Sequence, residues 1–332
     1  MKALITAPFC PNSLKRLKKS VEVIYENWEE TNKLHSPEEL IDRIQKQDIG
    51  ILITEAEYVT RDVFEKATKL RFLGNTRGSV TQVDIEAATE HGVPVVNTPA
   101  RNAIAVAEMA VGLMLALVRH IPAAHQMTSS GGWVDPIAAH ILLRGTELSG
   151  KTIGIVGFGA IGRQVAKFVR AFETSILVYD PYVDPDKIKG AGAKPLELDE
   201  LMKQSDLITI HCSTIPESIG LISAQRISLM KPTAYLINAA STYIIDNEAI
   251  IQALKKKRIA GAAFDVYETW PVQPDSPFLK LDNVVLTPHI AGATAESIVR
   301  HSQLIVDDIE RFLRGERPKN LLNPKVSIRA SQ

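Results

Sequence analysis

Three sets of residues in this chain have types and spacings suited to chemistry. The first is Gly157-Phe158-Gly159-Ala160-Ile161-Gly162, between the apolar run Thr152 to Val156 and an amphipathic stretch opening at Ile161. A strand, a glycine turn and a helix in that order make a dinucleotide-binding fingerprint. Gly157 allows the tight turn, Gly159 lets backbone amides approach a pyrophosphate, and Gly162 lets helix and strand pack closely. With Ala160 and Ile161, the helix N-terminus offers unpaired N–H groups and partial positive charge to phosphates. The second is Asp180, which closes the run Ser175 to Tyr179 and is followed by Pro181. A carboxylate there accepts hydrogen bonds from ribose hydroxyls and repels a 2′-phosphate, so the expected cofactor is NAD. The third is His289, in Thr287-Pro288-His289-Ile290-Ala291-Gly292 just beyond the run Val284 to Leu286. An imidazole titrates at about 6.5, so it can give or take the proton that accompanies hydride transfer at a carbonyl. Pro288 fixes the backbone before it, and Gly292 permits close approach of a chain or ligand. The competing reading is a histidine that steadies a hinge.

The other seven histidines are weaker candidates. His211 ends the run Leu207 to Ile210, where a structural role is as good a reading as a catalytic one. His35, His91, His120, His125, His140 and His301 lie outside any motif and read as surface or packing residues. No His/Cys/carboxylate spacing resembles a metal site, so none is expected.

These residues need a scaffold, and the chain spells one out. Apolar runs of strand length alternate with helical patterns, the signature of parallel sheets with crossover helices. The first series runs Ala3 to Thr6, Val21 to Tyr25, Ile49 to Thr54, Phe72 to Leu73 and Val93 to Val96. Ser36-Pro37-Glu38-Glu39 has the N-cap serine, first-turn proline and capping-box glutamate of a helix start, and Thr60-Arg61-Asp62-Val63 reads as another. A second series runs Thr152 to Val156, Ile176 to Tyr179, Leu207 to His211, Ala234 to Asn238, Ala260 to Phe264 and Val284 to Leu286. Six strands with intervening helices match a doubly wound nucleotide domain. A long helix from about Thr294 to Leu313 follows the last strand and could fold back on the first series. The expected plan is therefore α/β: an NAD-binding Rossmann domain, 99–296, inserted into a substrate domain of 1–98 plus 297–332. Pro94 to Asn102 and Pro288 to Ala293 would be the hinges, and the polar tail after Gly315 reads as extended or partly disordered.

Composition excludes several function classes. Thirty-eight basic and 38 acidic side chains cancel, which gives no electrostatic reason to expect nucleic acid or an anionic membrane. The one basic run, Lys255-Lys256-Lys257-Arg258, falls at the end of a predicted helix, where cations complement the dipole. Cys10 and Cys212 alone make a disulfide framework implausible, and a reducing cytoplasm is the natural setting. The apolar part of the N-terminus is too short for a signal-peptide core. Ala103 to Val118 comes closest to a membrane span, but Glu108 interrupts it, and a buried helix explains it better.

With these motifs in place the sequence resembles the D-isomer-specific 2-hydroxyacid dehydrogenases, a family that includes phosphoglycerate and glycerate dehydrogenases. The stretches that carry the resemblance are Val80 to Asp84, Gly92 to Asn97, Asn102 to Glu108, Glu147 to Thr152, Leu229 to Pro232, Gly261 to Val266 and Leu286 to His289. It implies a flavodoxin-like substrate domain and a homodimer formed through the nucleotide domains. It also places Ser213, Ala239, Ala240, Asp265 and Gly292 along the cofactor. The family's machinery is an arginine that grips the substrate, a glutamate that holds the histidine charged, and the histidine. Here the arginine position is Ser241, the glutamate position is Trp270, and the histidine is His289. A serine supplies at most one neutral bond where a guanidinium makes two charge-assisted ones. Trp270 either stacks on a ligand or packs in an interface, and Glu268, two residues early, is poorly placed to substitute. The family also binds the substrate carboxylate on a loop that corresponds to Asn75-Thr76-Arg77-Gly78-Ser79. Arg77 could supply positive charge there, beside Gly78 and Ser79, or be a plain surface arginine. Arg101 and Asn102 fall at a hinge, with Asn102 expected near substrate. Tyr243 could bond a substrate oxygen or simply pack. The expected function is NAD-dependent oxidation or reduction of a CH–OH/C=O group on a small polar metabolite. The alternative is a catalytically inactive NAD-binding sensor or scaffold.

Overall fold

A computed structural model describes residues 1–327. The chain folds into two compact units, one of Met1–Asn102 plus the chain from Thr294 onward, the other Ala103–Ala293. The crossings fall at 102/103 and 293/294 rather than at 98/99 and 296/297. Arg101 belongs to the first unit because its guanidinium bonds His301 and Glu55 there. Thr294 caps the helix Ala295–Leu313, accepting from the Ser297 amide, and so travels with it.

The first unit holds a parallel sheet of β1 (Lys2–Ile5), β2 (Glu22–Tyr25), β3 (Ile49–Thr54), β4 (Phe72–Asn75) and β5 (Val95–Val96). The order β2-β1-β3-β4-β5 is the flavodoxin-like arrangement. Side chains alternate between two cores, as strand geometry requires. Leu4, Leu52, Leu73 and Val95 face one core, while Ile5, Ile53, Phe72 and Val96 face the other. The helix Ala295–Leu313 places Ile305, Val306, Ile309 and Phe312 in the second of these cores. That apolar stripe is why a segment so late in sequence completes the first unit. The capping box at Ser36 forms, with the Glu39 amide donating to Ser36 Oγ and the Ser36 amide donating to Glu39 Oε2. Thr60 precedes the helix Arg61–Lys66 without a side-chain cap bond.

Part of the tail departs from expectation. Asp308 accepts from the Lys319 and Asn320 amides, Asn323 Oδ1 accepts from the Val95 amide, and Leu321 bridges Val96 antiparallel. Residues 319–323 thus dress the β5 edge, and buried polar groups supply the order that the apolar pattern lacked.

The second unit holds β6 (Thr152–Val156), β7 (Ser175–Tyr179), β8 (Lys194–Pro195), β9 (Leu207–Ile210), β10 (Tyr235–Asn238), β11 (Gly261–Phe264) and β12 (Val284–Leu286), all parallel. The order is β12-β11-β10-β9-β6-β7-β8. Sequence reading had six of these strands; β8 is a two-residue edge pairing that ends in proline and leaves no periodic signal. The helices Ala103–Val118 and Ala160–Arg170 cover one face over Ile153, Ile155, Val178 and Ile237. Among the described residues no single helix is long and apolar enough to cross a membrane.

Candidate nucleotide and proton-transfer site

In the second unit the order of strands reverses between β6 and β9, and the fingerprint loop leaves β6 at that point. Gly157 sits at φ +95°, and a Cβ there would lie 2.4 Å from the Cys212 amide nitrogen. A Cβ on Gly162 would lie 2.1 Å from the Gly157 carbonyl oxygen. Both glycines are demanded by the protein's own packing. Gly159 differs, since a Cβ there would meet nothing within 4 Å. It is also the N-cap of the helix Ala160–Arg170, which starts with no side-chain cap bond. The first amides of that helix therefore stand uncapped by side chains at an open glycine, with Ala160 and Ile161 in the first turn. That cradle fits a pyrophosphate.

Asp180 stands beside it. Its Oδ2 accepts from the Phe158 amide at 2.7 Å and its Oδ1 from the Tyr182 amide at 2.9 Å. Each oxygen keeps lone-pair capacity for a ribose hydroxyl, and the two backbone bonds fix the carboxylate. Beyond β9, Ser213 is exposed and its carbonyl accepts from Ser218 Oγ. Ala239 and Ala240 follow β10 in a turn closed by Asn238, whose Oδ1 accepts from the Ala240 and Ser241 amides. Cys212 has its thiol pushed up to about 11, chiefly by burial, so a thiolate is disfavoured at neutral pH.

The two histidines at this sheet edge have opposite environments. His211 is buried, bonds Thr209 Oγ1 through Nε2 at 2.8 Å, and has no partner for Nδ1 among the described residues. Burial alone pushes its pKa down to about 3, so it stays neutral and does not serve as an acid. His289 is exposed, at φ +58°, in a left-handed conformation uncommon for a non-glycine residue.

What holds His289 there is Asp265. The carboxylate is fully buried at the end of β11 and turned toward the His289 loop. Its Oδ1 accepts from Thr287 Oγ1 at 2.5 Å and the Ile290 amide at 3.0 Å, while Oδ2 accepts from the Ala291 amide at 2.8 Å. These bonds bracket residue 289 on both sides. Asp265, expected along the cofactor, has no exposed surface here, and its hydrogen bonds go to the histidine loop. Tyr267 adds a hydroxyl shared between the Phe264 and Thr287 carbonyls, its phenol pushed up to about 12 by burial and by the neighbouring Asp265 charge. Gly292, half-buried, follows the clamp.

Trp270 packs against His289 with ring centroids 5.7 Å apart in an edge-on arrangement, and the indole is 72% exposed. Glu268 accepts from Asn247 Nδ2 at 2.8 Å, and the same nitrogen reaches Thr242 Oγ1 at 3.0 Å. This amide ties the loop after β11 to the loop after β10. Ser241 Oγ accepts from the Tyr243 amide, and the Tyr243 side chain is exposed.

The first unit presents its own loop beyond β4. Asn75 is buried, donates to Thr54 Oγ1 and accepts from the Arg77 amide, shaping the turn. Asn97 Nδ2 donates to the Gly78 carbonyl at 2.6 Å. Gly78 and Ser79 are exposed, and Arg77 has no ion-pair partner among the described residues. Asn102, half-buried, is the last residue of this unit.

Sequence reading missed one network here. Arg101 donates to Glu55 Oε1 at 2.6 Å and to His301 Nδ1 at 3.0 Å. Arginine is always a donor, so His301 Nδ1 must accept, and Nε2–H donates to the Pro8 carbonyl at 2.8 Å. Burial, with Arg101 adding, pushes His301 down to about 4. Its partners lie about 200 and 290 positions away in sequence, so no local pattern marks it.

Comparison with known proteins agrees with this geometry. Residues 111–291 match the family described as D-isomer specific 2-hydroxyacid dehydrogenase, NAD binding domain. A glyoxylate reductase of Pyrococcus furiosus is 38% identical over 328 residues, which is 98% of this chain and 96% of that protein. A D-3-phosphoglycerate dehydrogenase of Methanocaldococcus jannaschii is 38% identical over 97% of this chain, which spans only 59% of that longer protein. Among solved structures, an acyclic imino acid reductase in complex with NADPH and D-Arg superposes with a TM-score of 0.81 at 28% identity, covering 97% of this chain and 100% of that one. Among the described residues, no group of three or more His, Cys, Asp or Glu side chains could hold a metal ion.

Proposed function

The chain belongs to the D-isomer-specific 2-hydroxyacid dehydrogenase family of NAD-dependent oxidoreductases, and from that premise we propose that His289 is its proton carrier in a non-standard active site. The reaction is oxidation or reduction at a CH–OH/C=O carbon of a small polar metabolite. The observation that carries the reading is the Asp265 clamp, a buried carboxylate whose hydrogen bonds hold an exposed imidazole in a left-handed conformation. A fold that retained the histidine only for packing has no need of such a frame. NAD, when bound, supplies or takes the hydride. His289 gives or removes the proton at the substrate oxygen, and Trp270 shields one side of the imidazole from water. Ser241 stands where resemblance to the family leads one to expect an arginine, and Trp270 where it leads one to expect a glutamate. Arg77, Gly78, Ser79 and Asn102, which the family resemblance assigns to the substrate's anionic end, all belong to the first unit.

Support for turnover as against a sensor or scaffold lies in the same clamp. The experiment is steady-state assay of purified protein with NAD or NADH on hydroxy acids, oxo acids, sugar acids and polyols. Turnover that His289→Gln abolishes is the expected result, and silence across the whole panel refutes an enzyme of this class. A relative of the same fold named for imino acid reduction widens the panel to C=N acceptors.

The proposal extends to a homodimer formed through the second unit. The helix Pro136–Leu142 exposes Ile137, Ile141 and Leu142 at 71%, 61% and 69%, beside exposed Trp133 and Val134. So continuous an apolar face is what a second copy would cover. A reducing cytoplasm suits two free cysteines, one of them buried.

A further inference from the structure

The loops that follow β10, β11 and β12 lie side by side at the carboxyl edge of the second sheet, and they have an unusual charge balance. Residues 239–247, 265–273 and 287–293 contain Asp246, Asp265 and Glu268 but no lysine or arginine. They are one structure rather than three stretches of sequence. Asn247 joins the first loop to Glu268, Asp265 joins the second to the third, and Trp270 rests against His289. Asp246 is spent on the Ala249 amide as an N-cap and Asp265 on the clamp. The Glu268 carboxylate is exposed, held by one neutral amide, and faces no cation among the described residues.

Reducing a carbonyl creates an oxyanion, which a site stabilises with cations or converging donors. Here the surroundings beside His289 are the exposed Glu268 carboxylate, an exposed indole and two hydroxyls, Ser241 and Tyr243. With no lysine or arginine on these loops, that set favours a positive charge over a new negative one: the Glu268 carboxylate attracts cations, and the indole face binds them through its quadrupole.

Resting on the oxidoreductase reading above, we propose that this site takes a cationic substrate group, a protonated imine in reduction or the corresponding amine in oxidation. The imine carbon accepts a hydride from reduced nicotinamide, and the C=N π pair becomes the nitrogen lone pair. The iminium charge is cancelled as the cofactor gains one, and the neutral amine then takes a proton from solvent. No oxyanion forms, so no arginine is required. His289 is left to orient the N–H in reduction and, in oxidation, to take the proton that the ammonium sheds before its hydride leaves.

A binding measurement and a turnover measurement, both on the full chain, test this. With NADH present, calorimetric titration compares trimethylglycine with 3,3-dimethylbutanoate, which has the same shape but no positive charge. Trimethylglycine should bind about tenfold tighter or better. Trp270→Leu should erase most of that preference while Trp270→Phe keeps it, and Ser241→Arg should reverse it. In turnover, NADH oxidation with pyruvate should depend on added methylamine and yield N-methylalanine by mass spectrometry. Equal binding of the two probes overturns the proposal. Pyruvate reduced equally well without amine also overturns it, yet leaves the oxidoreductase reading standing. Absence of turnover with every acceptor, imines included, overturns both.

Discussion

An exposed imidazole is a poor catalyst unless something aims it, and at position 289 the aim comes from Asp265. Replacing that residue by asparagine keeps an acceptor for Thr287 and Ile290 but sets an NH2 against the Ala291 amide, or the reverse if the amide flips. Asp265→Asn should therefore lower kcat by about 10–100-fold with NAD affinity unchanged, whereas His289→Gln should cost about 10²–10⁴-fold. Stopped-flow rates and cofactor calorimetry on the two variants check this, and a normal rate in Asp265→Asn would remove the clamp from the mechanism. His301 sets a pH limit of another kind. Its folded pKa is depressed from 6.5 to about 4, so the unfolded chain binds the extra proton between those values. Stability is complete above pH 6.5, falls as pH drops toward 4, and loses up to about 3 kcal/mol from this residue. Protonation also sets an N–H against the Arg101 guanidinium, which removes that bond. Urea midpoints at pH 7 and pH 5 should differ more in the native chain than in His301→Gln. At this scale the glycines and His289 could be read in the sequence because their neighbours announce them. Asp265 could be found as a strand-end carboxylate, but its bonds to the histidine loop could not, since their partners lie 22 to 26 positions away.

Between strand and helix, the fingerprint divides its three glycines into two kinds. Gly157 and Gly162 leave no room for a Cβ beside backbone atoms, while Gly159 opens onto empty space. Substitution should separate these roles. Gly162→Ala forces a methyl against the Gly157 carbonyl and should cost about 1–3 kcal/mol of stability, read as a lower urea midpoint. Gly159→Ala should leave that midpoint unchanged and weaken NAD binding by about tenfold or more, because the methyl occupies the pyrophosphate's approach. Should Gly159→Ala unfold the protein instead, the open cradle is not what it looks like. Strands with several apolar residues were legible because burial on both faces of a parallel sheet writes continuous apolar runs, as in β3 and β9. β8 was not, since two residues at an edge carry neither period nor propensity. The segment 319–323 went unread for a related reason: its order comes from Asp308 and Asn323, polar anchors whose partners are far away in sequence.

For the whole molecule, the plan of two α/β units with a late helix returning to the first was written in the alternation of runs and in the apolar stripe of Ala295–Leu313. A homodimer is expected only through family resemblance, and an exposed apolar helix is the physical motive for proposing one. Ile137 and Ile141 are one turn apart on the same helix face, and Leu142 is exposed beside them. Each fully covered aliphatic side chain contributes about 1.5–3 kcal/mol, so a twofold contact pairing these faces would count every one twice. The chain should sediment as a dimer at micromolar concentration, and Ile137→Asp with Ile141→Asp should give monomers whose circular dichroism is unchanged. Charge placed on a face that is merely solvent-exposed would change nothing in sedimentation. A native chain that runs as a monomer, or a double variant that stays dimeric, would mean that this apolar face serves something other than a second copy.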